Sequence, residues 1–204
     1  MNAAETLWQI FRDGGWAMWP LLVLSVLALT VTFERCVFWL RTHRAASRRR
    51  YARLLRLLAK NDRSEAAALA ARDRTVYARF ADALLRRPAG EGGPSEAEVI
   101  TAAEDLRPAV ERFSTLLSTI ITAAPMLGIL GTVTGIIDSF GILSSADAVR
   151  DPTLVAGGIA EALYTTAFGL LVALLALFPY VVFRTQADRC LTRLETLGSA
   201  ILAR

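Results

Sequence analysis

Three long apolar stretches divide the chain, and the polar segments between them are short or strongly charged. The first runs from Trp16 to Phe33 and extends toward Leu40 past Glu34 and Arg35. The second covers roughly residues 113–143 and the third roughly 154–183. A bilayer core needs about 20 helical residues, so each stretch is long enough to cross one. The third would form about 45 Å of helix at 1.5 Å per residue, so the last two are expected to protrude or tilt. The residues before the first run carry Glu5, Arg12 and Asp13, not a basic leader, and no small-residue cleavage site follows it. That pattern predicts a retained membrane helix and not a signal peptide. Trp16 and Trp19 are expected near one interface and Trp39 near the other.

The pattern predicts an all-α integral membrane protein with three crossings and helical extensions between them. Residues 1–40 hold the N-terminus and the first crossing, 41–112 a polar helical region, and 113–143 the second crossing. A loop at 144–153, the third crossing at 154–183 and a tail at 184–204 complete the layout. Within the polar region, residues 48–87 read as helical, with Leu54, Leu55 and Leu58, then Val76, Phe80 and Leu84, at helical spacing. Pro88-Ala-Gly-Glu-Gly-Gly-Pro94 is a break. Ser95 and Glu98 then form a capping-box pattern. A helix starting there is expected to run through Leu106 and Phe113 into the second crossing, bent at Pro108. The short loop at 144–153 makes the second and third crossings an antiparallel hairpin. About 70 residues of highly charged sequence are too few for an independent enzyme domain, so the polar region reads as an extension of the membrane bundle.

Composition agrees: 54% of the 204 residues are apolar, too many for an ordinary soluble domain. The net charge of +4 is unevenly placed. Residues 41–112 hold 16 Arg or Lys against 10 Asp or Glu, a net of +6. By the positive-inside rule, 41–112 and the tail lie in the cytoplasm, and the N-terminus and 144–153 lie outside. Basic residues there set orientation and touch anionic headgroups. No aromatic-rich basic strand or recognition motif points to nucleic acid. Cys36, Cys190 and the single histidine, His43, have no metal-ligand spacing, so free thiols, no metal and no cofactor are expected.

Two stripes of small residues stand out. Ala124, Gly128, Gly131, Gly135 and Ser139 share one face of the second crossing. Gly158, Ala162, Thr165, Gly169, Ala173 and Ala176 share one face of the third. Such stripes let helix backbones approach closely. A phosphate loop is excluded, because the segment is apolar and lacks a Lys-Ser/Thr pair. Glu161 lies seven residues into the third crossing. A carboxylate there costs a few kcal/mol in hydrocarbon, so it faces either a protein interior or wet cavity, or water at the outer interface. Thr132, Thr134, Thr165 and Thr166 either satisfy backbone carbonyls locally or line a polar path near Glu161. Asp138 sits toward the outer end of the second crossing, at an interfacial position. Pro125 and Pro179 are expected to kink their helices. With no nucleophile–base pair, metal cluster or cofactor fingerprint, the chain is not a conventional enzyme.

Ala124-Pro-Met-Leu-Gly-Ile-Leu-Gly-Thr-Val-Thr-Gly-Ile-Ile137 resembles the second-helix signature of the MotA/TolQ/ExbB proton-channel family. Gly158-Ile-Ala-Glu-Ala-Leu-Tyr-Thr-Thr-Ala-Phe-Gly-Leu170 resembles its third-helix signature, and Phe33-Glu-Arg35 is similar to the end of its first helix. Three crossings with the N-terminus outside match the ExbB/TolQ branch. The resemblance implies a homopentamer in the bacterial inner membrane around a central pore. It holds the single spans of ExbD-like or TolR-like partners, which carry a proton-binding aspartate. Work would pass to the outer membrane through a TonB-like or TolA-like protein. By the same resemblance Thr132 and Thr166, with Thr165 beside it, line the ion path, and Glu161 is the family's membrane glutamate. Thr134 and Asp138 depart from the commoner residues, which leaves their roles open. The alternatives are a TolQ-like role in envelope integrity and division, and a non-conducting scaffold of the same fold.

Overall fold

The computed structural model describes residues 11, 14–42, 45–73, 75–86, 93–143 and 152–203. Residues 1–10, His43, most of the Pro88–Pro94 break and all but the last two residues of the 144–153 loop lie outside these. The described elements are helices: α1 (Met18–Thr42), α2 (Ala45–Ala59), α3 (Arg63–Ala71), α4 (Val76–Leu85), α5 (Glu96–Val110), α6 (Ser114–Leu143) and α7 (Pro152–Leu202). Three of them, α1, α6 and α7, are long and apolar enough to cross a membrane. Helices suit that role because every mid-helix N–H and C=O is satisfied within the segment.

The chain forms two compact units. One comprises residues 1–33 and 113–181, the other 34–112 and 182–204. In the first unit, the buried positions are mostly small or slender: Ala17, Ala28, Ala124, Ala162, Ala173 and Ala176, with Leu21, Leu117, Ile120 and Val172. Large side chains point away from this core, with Phe33 at 74% and Phe178 at 70% exposure. A water-soluble unit would not leave so much apolar surface bare; lipid is the fitting surrounding.

The second unit has an ordinary hydrophobic core. Leu54, Leu57 and Leu58 of α2, Phe80, Ala81 and Leu84 of α4, and Val99, Leu106 and Val110 of α5 pack together. Ala187, Cys190, Leu194, Leu197 and Ile201 join them, at steps of three and four along α7. The tail beyond residue 183 therefore continues α7, which runs unbroken for 51 residues through Pro179. At Gly198 α7 packs tightly on α5, since a Cβ there would run into Val99 Cγ1. Tyr77 is 3% exposed. Its hydroxyl accepts from Arg193 Nη1 at 3.5 Å, and burial pushes its phenol up to about 12.

One expectation about this region is corrected. The described residues between 48 and 87 are helical, as α2, α3 and α4. Asn61 takes the left-handed φ of 62°, and Asp62 caps α3 by accepting from Glu65 N–H at 3.0 Å. Thr75 caps α4 through Ala78 N–H. Short polar side chains that bond the nearby backbone compete with a continuing helix. The helix begun at the Ser95–Glu98 capping box, where both reciprocal bonds form, does not run into the second crossing. It passes Pro108 and stops at Val110, and Phe113 has a φ of 65° before α6 begins.

Arg35 holds the end of α5. It is 3% exposed and donates through Nη1 to Ala109 O at 3.2 Å and Val110 O at 3.4 Å. Those carbonyls have no partner further along the helix. Glu34 balances the buried charge at 2.7 Å, and the Phe38 ring lies 4.5 Å beneath the guanidinium. Bonds from a charged donor contribute about 1.5–3 kcal/mol each. Arg35→Ala is expected to lower stability in detergent by about 2–3 kcal/mol, with Arg35→Lys recovering part, because an ammonium lacks the planar fork. Thermal unfolding followed by circular dichroism checks this; an unchanged midpoint would refute the capping role.

Candidate functional site

The face that α6 presents to α7 repeats every three or four residues, so its small side chains stack along one line. A Cβ placed on Gly128 would lie 2.9 Å from Thr165 O and 3.0 Å from Thr166 Cα. One on Gly169 would lie 2.5 Å from Ala124 O and 3.1 Å from Gly128 Cα. At Gly135 the obstacle is Ala162 Cβ at 2.9 Å, and at Gly158 it is Ser139 Oγ at 2.3 Å. Gly131 meets Thr165 Oγ1 at 2.6 Å and Ala17 Cβ at 2.9 Å, so the chain entering α1 joins the same seam. Backbone approaches backbone here, and any larger side chain would force the helices apart.

That approach creates a polar centre inside an apolar bundle. The Gly128 carbonyl accepts from the hydroxyls of Thr132 at 3.1 Å, Thr165 at 3.1 Å and Thr166 at 3.0 Å. The Ala162 carbonyl lies within 3.1 Å of Thr132 Oγ1 and 2.7 Å of Thr165 Oγ1. The Thr132 and Thr166 hydroxyls also touch each other in a short hydrogen bond. Each hydroxyl has one proton and two lone pairs, so each has a choice of acceptors. Rotation of a hydroxyl rearranges the network without moving a heavy atom. Thr165 is 2% exposed and lies within the seam, whereas Thr132 and Thr166 are half-buried.

Glu161 stands one helical turn before Thr165 and is exposed. It lines a pocket of about 40 Å³ together with Gly15, Trp16, Thr134, Asp138 and Thr165. That is room for more than one water, which needs about 10–15 Å³. Asp138 is exposed but shares this pocket. Thr134 donates to Leu130 O or Gly131 O at 3.1 and 3.0 Å, and accepts from Trp16 Nε1 at 3.3 Å. The structure thus groups Thr132, Thr165 and Thr166 at one carbonyl, and puts Glu161 and Asp138 at one pocket. The contribution of Gly15 and Trp16 was missed by sequence reasoning, which gave Trp16 an interfacial place only. The Gly14-Gly15 pair just before it was the available signal.

Valine at position 132 or 166 keeps the side-chain shape and removes the hydroxyl. Each single variant is expected to lower stability by about 0.5–1.5 kcal/mol, the range for hydrogen bonds between membrane helices. Thr132→Val with Thr166→Val should lose less than the sum, because the hydroxyls share partners. Unfolding curves for the full double-mutant cycle in one detergent decide it; strict additivity would show independent sites.

A family model described as the MotA/TolQ/ExbB proton channel family matches residues 72–196, a span that contains α6 and the Glu161–Thr166 segment. An ExbB-like biopolymer transport protein of Synechocystis is 38% identical over 196 residues, covering 94% of this chain and 76% of that protein. A biopolymer transport protein exbB1 of Vibrio cholerae is 28% identical over 194 residues, covering 94% of this chain and 85% of its own. The Tol-Pal system protein TolQ of Pseudomonas aeruginosa is 37% identical over 87 residues, covering 43% of this chain and 37% of TolQ.

Proposed function

The chain belongs to the ExbB/TolQ branch of the MotA/TolQ/ExbB proton channel family, and we propose that it is the channel-wall subunit of an ExbB–ExbD-type complex. It is a multi-pass inner-membrane protein of a transport family. In the proposed arrangement the N-terminus faces the periplasm and the basic second unit the cytoplasm. Five copies surround the single spans of an ExbD-like or TolR-like partner. That partner supplies an aspartate that takes up and releases protons. A TonB-like or TolA-like protein carries the work to the outer membrane.

The observation that carries this reading is the hydroxyl cluster at the Gly128 carbonyl, with Thr132 and Thr166 only half-buried in the chain alone. A threonine that only satisfies its own helix makes no bond to a facing one, whereas Thr132 also meets Ala162 O and Thr166 Oγ1 of α7. Thr132 and Thr166 are bonded to each other across the helices and are only half-buried; in the proposed complex a partner carboxylate reaches them on that flank. Glu161 stands a turn away. One charge crossing 100 mV releases about 2.3 kcal/mol, enough to bias a rotary step coupled to proton transfer. Glycines 128, 131, 135, 158 and 169 then hold the wall in shape, while Thr132, Thr166 and Glu161 face the ion. Thr165, at 2% exposure, serves in the seam and at the wall of the Glu161 pocket. The TolQ likeness leaves the same wall compatible with a TolR-like and TolA-like set of partners.

Proteoliposomes holding the chain with its co-purified single-span partner are expected to take up protons when a potential is applied. Glu161→Gln or Thr166→Val should reduce that uptake at least about tenfold, while native mass spectrometry still finds the assembled complex. Undiminished uptake in both variants would refute the ion-path assignment of Glu161 and Thr166; no uptake by the unaltered complex would favour a non-conducting scaffold of the same fold.

A further inference from the structure

A turn that precedes α1 lies against one side of the exposed Glu161 carboxylate. Gly15 has a φ of 64°, a conformation that favours glycine. It is also closed to side chains for a separate reason, since a Cβ there would lie 2.7 Å from Glu161 Oε1. The next residue, Trp16, uses its only hydrogen-bond donor on Thr134 Oγ1 of α6 at 3.3 Å. An indole that merely anchors a helix at a membrane interface points its N–H to water or headgroups. This one points across the bundle. The Thr134 hydroxyl gives its proton to its own helix, so its oxygen is correctly set to accept. The turn is further fixed by the backbone bonds Met18 N–H to Gly15 O and Trp19 N–H to Trp16 O, both at 3.3 Å. Phe11 packs edge-on to Trp19, 5.3 Å between centroids.

We infer that Gly15 and Trp16 are positioning residues for Glu161: the turn forms one wall of the pocket at the end where α1 begins, and the Trp16–Thr134 bond holds that wall in place. It sets where the carboxylate can reach and how readily it meets the aqueous phase on that side. Asp138 lines the same pocket. The inference deepens the channel reading, since it rests on Glu161 having an ionic role, but its test does not depend on proton flux.

The full chain with its co-purified partner is treated with a hydrophobic carbodiimide. Modification at Glu161 and at Asp138 is followed separately by peptide mass spectrometry. Trp16→Phe keeps an aromatic ring without the N–H, and Thr134→Val removes the acceptor. Each should raise the labelling rate of Glu161 about three- to tenfold, and the double variant should label no faster than the quicker single one. Alkylation of the exposed Cys36, measured in parallel, should not change. Equal labelling in wild type and variants would overturn the inference. So would a rise matched by Cys36, since that marks general loosening. Intact flux in Glu161→Gln would remove the ionic role and leave the labelling result standing, so the two readings fail separately.

Discussion

The seam between α6 and α7 is the constraint on which the rest depends. Two helices can bring their backbones together only if neither carries a Cβ in the way, and Gly128 and Gly169 remove it from both sides. The approach has a chemical consequence. It sets the Gly128 carbonyl, an atom normally hidden within its own helix, beside the hydroxyls of the facing one. Packing and polarity are therefore one feature. The glycines that bring the helices together are also what places the threonines, and a residue that widened the seam would disperse the hydroxyl cluster along with it.

The second unit solves a different problem with different means. Its core is built from leucine, phenylalanine and valine on α2, α4, α5 and α7, each large buried side chain contributing about 1.5–3 kcal/mol. Its helix ends are tied individually: Asp62, Thr75 and Ser95 at starts, Arg35 at the end of α5. Long α7 contributes to both units in turn, with small residues in its first half and a heptad-like stripe of larger ones in its second.

The three long apolar helices were legible because hydropathy and length are read directly from composition. So were the small-residue stripes, whose period of three to four residues matches the helix, and the Ser95–Glu98 capping box. The breaks inside 48–87 were not, since Asn61, Asp62 and Thr75 punctuate only when their side chains reach the local backbone. Nor was the stop after Val110. Nothing in Glu111-Arg112-Phe113 announces a left-handed aromatic residue, and the bond from Arg35 spans more than 70 positions of sequence. At the site, sequence and resemblance singled out Thr132, Glu161 and Thr166 but could not separate Thr165 from its neighbour. The hundred-degree turn between adjacent helical residues does that, sending one hydroxyl into the seam and the other to its edge. The Gly15–Trp16 turn escaped because its contacts join residues more than a hundred positions apart.

The central claim is that the flank bearing Thr132 and Thr166 faces the proton-carrying span of a partner subunit. Site-directed cross-linking tests it most directly. Thr166→Cys, in the complex as purified, is paired with single cysteines placed in turn along the partner's membrane span. The account predicts rapid disulfide formation at the positions flanking the partner's membrane carboxylate, and none from Phe178→Cys, whose side chain points away from the bundle core. Cross-links from Phe178→Cys to the partner, with none from Thr166→Cys, would contradict it.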